Sequence, residues 1–209
     1  MPLTLYDNAL STNAQKVRFL LAELDLPYEA IAVDMGSLCP DWYRQRHPFA
    51  TIPLLVDDGF AIFESNTMLR YLADREGRDD LYPVDPVERA RIDQVMDALS
   101  LSVRPALWEL EAATIYCRVP SHLGGDDGSS ADPAAVAAAL TALAPALEGF
   151  EQLLAELGGF GIADCAIAGR FATAPKLPLD LTVWPELEAR LRTAWSLPAW
   201  TAGLAAAAR

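Results

Sequence analysis

The first polar cluster in the chain runs from Ser11 to Val17, with the sequence STNAQKV, and precedes an apolar helical stretch. Ser11 and Asn13 place hydrogen-bond donors beside the N-terminus of that helix, where unpaired N–H groups and the helix dipole favour an anion. A thiolate is one anion that would be stabilised there. The alternative interpretation is helix capping alone, because Thr12 and Gln15 fit the T-x-x-Q capping box.

A second cluster, HPFATIP from His47 to Pro53, precedes a strand-like segment. Cis X-Pro bonds are found in tight turns, so Ile52–Pro53 is a candidate cis bond. In that case we expect the main chain of Ile52 to face outward and pair with an extended peptide, as in β-augmentation. The alternative is an ordinary proline at the start of an edge strand.

The third cluster is Glu64 and Ser65, at the start of another helical segment. The unpaired amides of a helix N-terminus, together with the Ser65 hydroxyl, suit a carboxylate. The Glu64 carboxylate suits an adjacent ammonium, and an α-amino-acid end group presents both charges. Here too, capping is the alternative interpretation.

Alternating strand-like and helix-like segments position these clusters. Apolar spacing predicts strands at 3–6, 28–33, 54–57 and 61–63, and helices at 13–24, 41–46 and 65–75. Between the last two strands, Asp58 and Gly59 form a dipeptide that suits a tight hairpin turn. The order βαβαββα predicts a small α/β domain over residues 1–77.

The composition changes after this unit. Residues 78–86 are charged, contain two prolines and show no periodicity, which is typical of a linker. The pattern then becomes helical, with predicted helices at 87–113, 133–157, 162–171, 185–194 and 198–208. The expected fold class is therefore α/β plus all-α, with the helical domain over residues 87–209.

Charge and composition exclude several classes of function. The 29 acidic residues outnumber the 16 lysines and arginines, and the resulting charge of -13 makes nucleic acid and anionic membranes poor partners. We expect a soluble, cytoplasmic protein, because we find neither a leader-like N-terminus nor an uninterrupted apolar run long enough to span a bilayer. Cys39, Cys117 and Cys165 are widely spaced and only two histidines are present, so we expect neither a disulfide framework nor a bound metal.

In order and spacing, these clusters resemble the cytosolic glutathione transferase family, and the resemblance spans the whole chain. STNAQKV is similar to the family's S-x-N-x-x-K-V, HPFATIP to its N-P-x-x-[KT]-[VI]-P, and DDGFAIFESNTMLRYLAD to its D-G-x-x-[LI]-x-E-S-x-x-I-x-x-Y-L. GGFGIADCAIA resembles the family's helix start G-x-x-[ST]-x-A-D, with Asp164 in the matching place and Gly161 where Ser or Thr is usual. The Ser/Asn pair at helix one is similar to the theta, delta and nu branches.

The resemblance implies a thioredoxin-like first domain that binds glutathione as co-substrate, and a helical second domain that lines an apolar pocket for an electrophile. It implies that Ser11 donates to the glutathione sulfur, with Asn13 as the second candidate. Such a donor would lower the thiol pKa from about 8.5, and each unit of lowering is worth about 1.4 kcal/mol of preference for the thiolate.

The remaining glutathione contacts are also carried by the resemblance. It implies that Glu64 and Ser65 bind the γ-glutamyl group, and that Ile52, ahead of Pro53, pairs through its main chain with the cysteinyl unit.

In many members a lysine binds the glycyl carboxylate of glutathione. This chain has Thr51 at the matching position, so the resemblance implies that the usual cation is missing. Arg44 and His47 are the candidate substitutes.

The resemblance extends to the second substrate and to a partner chain. Expected pocket residues are Leu10, Leu107, Trp108 and Tyr116, although core packing is the commoner role for such side chains. Asp97 resembles an acidic residue that reaches the partner subunit's glutathione in some members, with a solvated helix face as the alternative. A homodimer is implied.

Conjugation of the glutathione thiolate to a hydrophobic electrophile is the function that the resemblance implies. The alternatives are a glutathione-dependent disulfide reductase of the same fold and a non-catalytic, transferase-like interaction or regulatory protein. Another thiol of similar shape is also a candidate ligand. Because both glutathione and this chain are net acidic, we expect added salt to favour binding weakly.

Overall fold

The computed structural model describes residues 3–33, 41–118 and 131–207, so Cys39 lies outside the described residues. The first third of the chain contains four strands and three helices: β1 (Leu3–Asp7), α1 (Thr12–Glu23), β2 (Tyr28–Ala32), α2 (Asp41–Arg46), β3 (Leu54–Asp57), β4 (Phe60–Ile62) and α3 (Ser65–Arg75).

The strands form one mixed sheet in the order β2-β1-β3-β4. β1 and β2 are parallel, whereas β3 pairs antiparallel with both β1 and β4. The β3–β4 hairpin turns at Asp58 and Gly59, which have φ angles of 46° and 84°. The predicted βαβαββα order is confirmed, and with it the thioredoxin-like class of this region.

The rest of the described chain is helical, as predicted: α4 (Pro86–Ala98), α5 (Arg104–Thr114), α6 (Pro133–Ala155), α7 (Ile162–Arg170), α8 (Pro185–Ser196) and α9 (Pro198–Ala205). Short 3-10 turns lie at Tyr116–Arg118, Ala174–Lys176 and Leu181–Val183. In α4 and α6 the residue before the helix is an aspartate that caps it: Asp85 accepts from the amides of Val87 and Glu88, and Asp132 accepts from the amide of Ala134.

The predicted single helix over 87–113 is interrupted. Residues Leu99–Val103 form a π-helical turn between α4 and α5. Pro105, which follows, has no N–H to donate to the carbonyl four residues earlier, so the α-helical ladder cannot continue unbroken. The turn brings Ser100 and Arg104 to the mouth of a cavity described below.

By length and composition alone, α6 could cross a bilayer. In the fold, however, the buried side chains of α6 belong to the main core, where they pack with side chains of α5 and α8. The buried residues of α6 are Ala139, Leu143, Leu147, Phe150 and Leu154. The sequence pattern had indicated no such segment, because Glu148 and Glu151 break the apolar run of this helix.

Helix α1 lies in the middle of the molecule and packs on α3, α7 and α9. Two glycines permit this close approach. A Cβ on Gly169 would lie 2.5 Å from the Lys16 Cβ and 2.9 Å from its main-chain nitrogen, and one on Gly203 would lie 3.0 Å from the Phe19 nitrogen. Helix α1 is therefore in main-chain contact with both α7 and α9.

A buried ion pair fixes α1 to the sheet and to α9 at once. The Arg18 guanidinium is almost fully buried and donates to the Asp7 carboxylate at the end of β1. Its Nε donates to the Gly203 carbonyl at 2.9 Å. Removing one partner of such a pair leaves a buried charge uncompensated, which costs about 3–5 kcal/mol.

Close packing explains why residue 161, which precedes α7, is a glycine. A Cβ there would lie 2.7 Å from the Leu81 carbonyl oxygen, which accepts from the Ile162 amide at 3.1 Å. One half of a capping box is kept, because the Asp164 carboxylate accepts from the Gly161 amide at 2.9 Å. The serine or threonine usual at this position would collide with the main chain.

Gly169→Ala should lower the free energy of unfolding by about 1–3 kcal/mol, because the added methyl group overpacks a contact between two helix backbones. Gly149→Ala is the matched control: Gly149 is exposed in α6 with nothing within 4 Å of its virtual Cβ. That change should raise stability by about 0.5–1 kcal/mol. Chemical denaturation measures both, and equal effects would contradict the close contact.

Candidate functional site

A cavity of about 240 Å³ opens where α1, α3 and the junction of α4 with α5 meet. Its lining is polar: Asn13, Lys16, Thr51, Glu64, Ser65, Asn66, Ser100 and Arg104. The fold thus brings together three of the predicted site residues, Asn13, Glu64 and Ser65, from two separate sequence clusters.

The N-terminus of α1 is capped by Ser11, whose hydroxyl oxygen accepts from the Ala14 amide at 3.2 Å. The interpretation of Thr12 and Gln15 as the capping box is therefore wrong by one residue. The Thr12 hydroxyl instead accepts from Arg170 at 3.3 Å. As an acceptor in the cap, the Ser11 hydroxyl keeps its own proton for donation, two residues before Asn13.

The start of α3, unlike that of α1, is not capped by a side chain. Glu64 is the cap residue with a positive φ of 65°, and it makes no side-chain cap bond. Within the described chain, neither the Glu64 carboxylate nor the Ser65 hydroxyl has a hydrogen-bond partner. A non-glycine residue held at positive φ is costly, and such residues cluster at functional sites. Capping therefore does not account for these two residues.

The Ile52–Pro53 peptide bond is cis, which is one of the two alternatives that the sequence leaves open. The Ile52 side chain is buried in a small core with Ala14, Tyr43 and Leu54. Its main chain makes no hydrogen bond to any other described residue, and β3 begins only at Leu54. The main chain of Ile52 is thus an unpaired strand edge beside the cavity-lining Thr51.

The two candidate cations for a glycyl carboxylate occupy different environments. His47 is fully buried, its ring stacks on Phe63 at 4.9 Å, and its Nε2 lies 3.0 Å from the Thr51 hydroxyl. Burial lowers the pKa of His47, although Glu64 acts in the opposite direction, so its environment disfavours a charged ring in contact with a ligand. Arg44 is exposed on α2 and is not part of the cavity lining.

Lys16 is one of the lining residues to which the sequence analysis assigns no role. Its Nζ donates to Asn66 Oδ1 at 2.6 Å, and the side chain is only 5% exposed. Burial, followed by the positive charges of Arg170, Arg104 and Arg70, lowers the Lys16 pKa to about 7, despite the opposing charge of Glu64. The available signal was its helical spacing, since Lys16 lies three residues after Asn13 on the same face.

Asn66 connects Lys16 to the helical part of the chain. Its amide nitrogen donates to the Met96 carbonyl at 3.1 Å and to the Ser100 hydroxyl at 3.0 Å. Ser100 in turn donates to the Met96 carbonyl at 2.9 Å. The position of the Lys16 ammonium is thus fixed by contacts to the π-helical turn.

Behind the N-terminus of α1 lies a second buried charged group. Arg170 donates to the Glu111 carboxylate, which also accepts from Thr173, and to the Thr12 hydroxyl. Glu111 is fully buried and Arg170 is 7% exposed. This network ties the first turn of α1 to α5 and α7, and it places a guanidinium near Lys16.

The four residues expected around a second substrate differ in exposure. Leu107 is fully buried in the main core, which agrees with the alternative interpretation of core packing. Trp108 and Tyr116 are partly exposed with ring centroids 4.9 Å apart, and Leu10 is 83% exposed. Asp97 is exposed and lies 3.5 Å from Arg70 of its own chain.

Glutathione S-transferases are the proteins that this chain resembles most consistently. Residues 5–80 match the family model "Glutathione S-transferase, N-terminal domain". "Glutathione S-transferase 1" of Manduca sexta is 37% identical over 111 residues, which cover 51% of each protein. "Stringent starvation protein A homolog" of Haemophilus influenzae is 31% identical over 112 residues, 54% of this chain and 52% of that protein. The aligned regions span about half of both relatives.

A solved structure extends the similarity to the full chain. The theta class glutathione S-transferase from Xanthomonas axonopodis pv. citri, with glutathione bound, superimposes with a TM-score of 0.81 and 26% identity, covering 99% of both chains. In the part of this chain that the structure describes, no group of three or more His, Cys, Asp or Glu side chains is placed to hold a metal.

The lowered pKa of Lys16 predicts how stability depends on pH. Between pH 7 and the unfolded value of 10.5, the folded chain binds fewer protons than the unfolded chain. The free energy of unfolding, taken relative to Lys16→Met, should therefore rise with pH, by about 2 to 3 kcal/mol between pH 7 and 9. Denaturation of both proteins at several pH values measures this difference, and a constant difference would contradict the shift.

Proposed function

Because the chain belongs to the cytosolic glutathione S-transferase family, we propose that it is a glutathione transferase, which conjugates the glutathione thiolate to a hydrophobic electrophile. The observation that carries the proposal is the convergence of Asn13, Glu64 and Ser65 on one cavity.

The start of α3 suits the γ-glutamyl end of glutathione. Its α-carboxylate would accept from the Ser65 hydroxyl and from the first amides of α3, where the helix dipole favours a negative charge. Its ammonium would lie against the Glu64 carboxylate. Both side chains lack a hydrogen-bond partner within the described chain, so binding would not have to break an internal bond.

The cysteinyl unit would extend the strand edge at Ile52. Its main-chain N–H and C=O would pair with those of Ile52, beside Pro53, in the manner of an added strand. Such pairing would leave the sulfur near the N-terminus of α1. Arg44 is our candidate for the glycyl carboxylate, since the buried His47 suits that role less well.

At the N-terminus of α1, Ser11 would donate its hydroxyl proton to the sulfur, with Asn13 as the second donor. Donation to the thiolate stabilises the charged form and so lowers the thiol pKa. The thiolate would then attack the electrophilic carbon, forming the C–S bond as the leaving group departs with the bond electrons. The thiol proton would already have been lost to solvent.

The second substrate would bind beside Trp108, Tyr116 and Leu10, whose apolar surface is partly exposed. An apolar ligand there would be held by burial of its surface, at about 25 cal/mol per Å². We assign residues 1–77 to glutathione binding, 78–86 to the linker and 87–209 to this pocket. We further propose a cytoplasmic protein.

A second candidate function is a non-catalytic or regulatory role on the same fold. It is favoured by the 31% identity to "Stringent starvation protein A homolog", whose name does not describe a transferase. Glutathione-dependent disulfide reduction also fits the site, since it too requires a bound thiolate. Catalysis of conjugation distinguishes the first proposal from both.

Ser11→Ala should raise the pKa of the bound thiol by about one unit, because a hydrogen bond to a charged group is worth about 1.5–3 kcal/mol. The ultraviolet absorbance of the thiolate, followed against pH in the complex, measures this shift. Turnover with an aryl halide at acidic pH should fall about tenfold in parallel.

Two controls accompany this measurement. Asn13→Ala tests the second donor, and Ser196→Ala removes an exposed hydroxyl on α8 that bonds only within its own helix. Unchanged turnover in both Ser11→Ala and Asn13→Ala would overturn the assigned mechanism.

The family resemblance also supports a homodimer, to which Asp97 would contribute an acidic side chain near the partner's site. Light scattering should give twice the chain mass of 22.7 kDa at working concentration. A mass near 22.7 kDa would rule out the dimer, and Asp97→Asn would then leave binding unchanged.

A further inference from the structure

The Lys16 ammonium has fewer hydrogen-bond acceptors than donors within the described chain. A charged lysine has three N–H donors, and within the described chain Asn66 Oδ1 is the only acceptor that its Nζ reaches. The side chain is nevertheless almost fully buried and lines the cavity. Two donors are therefore left for a group that enters the cavity.

The charges around Lys16 oppose its protonation while the cavity is empty. Arg170 of α7, Arg104 of α5 and Arg70 of α3 all act against its charge, and among the described residues Glu64 favours it. Glu64 is unpaired in the described chain, whereas three other acidic side chains are already engaged: Glu111 pairs with Arg170, and Asp93 and Asp97 pair with Arg70. Burial is the larger effect and acts in the same direction, because it disfavours any charge that has no partner.

We infer that Lys16 is an anion-binding residue of this cavity, and that it gains a proton when a carboxylate of the ligand enters. The inference rests on the proposed function, since it takes glutathione as the ligand. This carboxylate is the α-carboxylate of the γ-glutamyl end, which the proposed function places at Ser65. Asn66, which accepts from the Lys16 ammonium, lies next to Ser65 at the N-terminus of α3.

Binding of the carboxylate is then coupled to the uptake of a proton. Lys16 takes one proton from solvent, and the ammonium so formed donates to the incoming carboxylate. The bound state holds more protons than the free state, so affinity must fall as pH rises above about 7, the Lys16 pKa of the empty site. The local positive charge offsets the repulsion expected between an acidic protein and an acidic ligand.

Lys16 can be observed directly, because the chain contains only one other lysine, Lys176. With ¹³C-labelled lysine, a nuclear magnetic resonance spectrum should give two side-chain signals, and Lys176→Arg identifies that of Lys16. Titration with pH, in the absence and presence of saturating S-methylglutathione, measures its pKa in both states. This probe carries both carboxylates of glutathione but no ionisable thiol.

We expect the Lys16 pKa to rise by one unit or more when S-methylglutathione binds. A rise of one unit corresponds to a tenfold weakening of Kd between the two pKa values. Lys16→Met should bind more weakly at pH 6.5 and lose this pH dependence. Lys16→Arg, which stays charged, should keep the affinity and lose the dependence, whereas the exposed control Lys176→Met should behave as the parent protein.

The outcomes separate this inference from the proposed function. If S-methylglutathione binds and the Lys16 pKa does not move, Lys16 is not an anion-binding residue, although glutathione binding stands. A rise with glutathione but not with S-methylglutathione assigns the charge to the thiolate and overturns the carboxylate. Absence of binding at millimolar concentration overturns the proposed function and this inference together.

Discussion

The close contact of α1 with the helices on either side of it is the constraint on which the site depends. Gly169 and Gly203 let the backbones of α7 and α9 reach α1, and the buried Arg18–Asp7 pair fixes its orientation relative to the sheet. Helix α1 carries Ser11, Asn13 and Lys16, so a shift of this helix would move all three. The glycines are thus as necessary to the site as the polar side chains.

The cavity is formed by both parts of the chain. Asn66 from α3 bonds to Ser100 in the π-helical turn, and Lys16 bonds to Asn66. A regular α-helix over residues 87–113 would present Ser100 and Arg104 at different angles. The irregularity that Pro105 imposes on the helical region therefore determines which groups face the sheet region. The local charge that results is positive, although the chain as a whole carries -13.

Short-range patterns predicted most of the fold and part of the site. Period-two and period-3.6 apolar spacing gave the strands and helices, and the motifs gave the cis bond at Ile52–Pro53 and the grouping of Glu64 with Ser65. Arg104 could not be found in this way, because its place depends on packing between segments far apart in sequence. The burial of His47 and Leu107 likewise depends on tertiary contacts that their local sequence does not record.

Calorimetric titration with glutathione is the most direct test of whether this cavity binds the tripeptide. We expect saturable heat at or below millimolar glutathione, strongly reduced in Ser65→Ala and in Glu64→Gln, and little heat with a thiol that lacks the γ-glutamyl group. Heat that is unchanged in both variants would place the ligand elsewhere. No heat at millimolar glutathione, with another thiol binding in its place, would contradict the glutathione assignment.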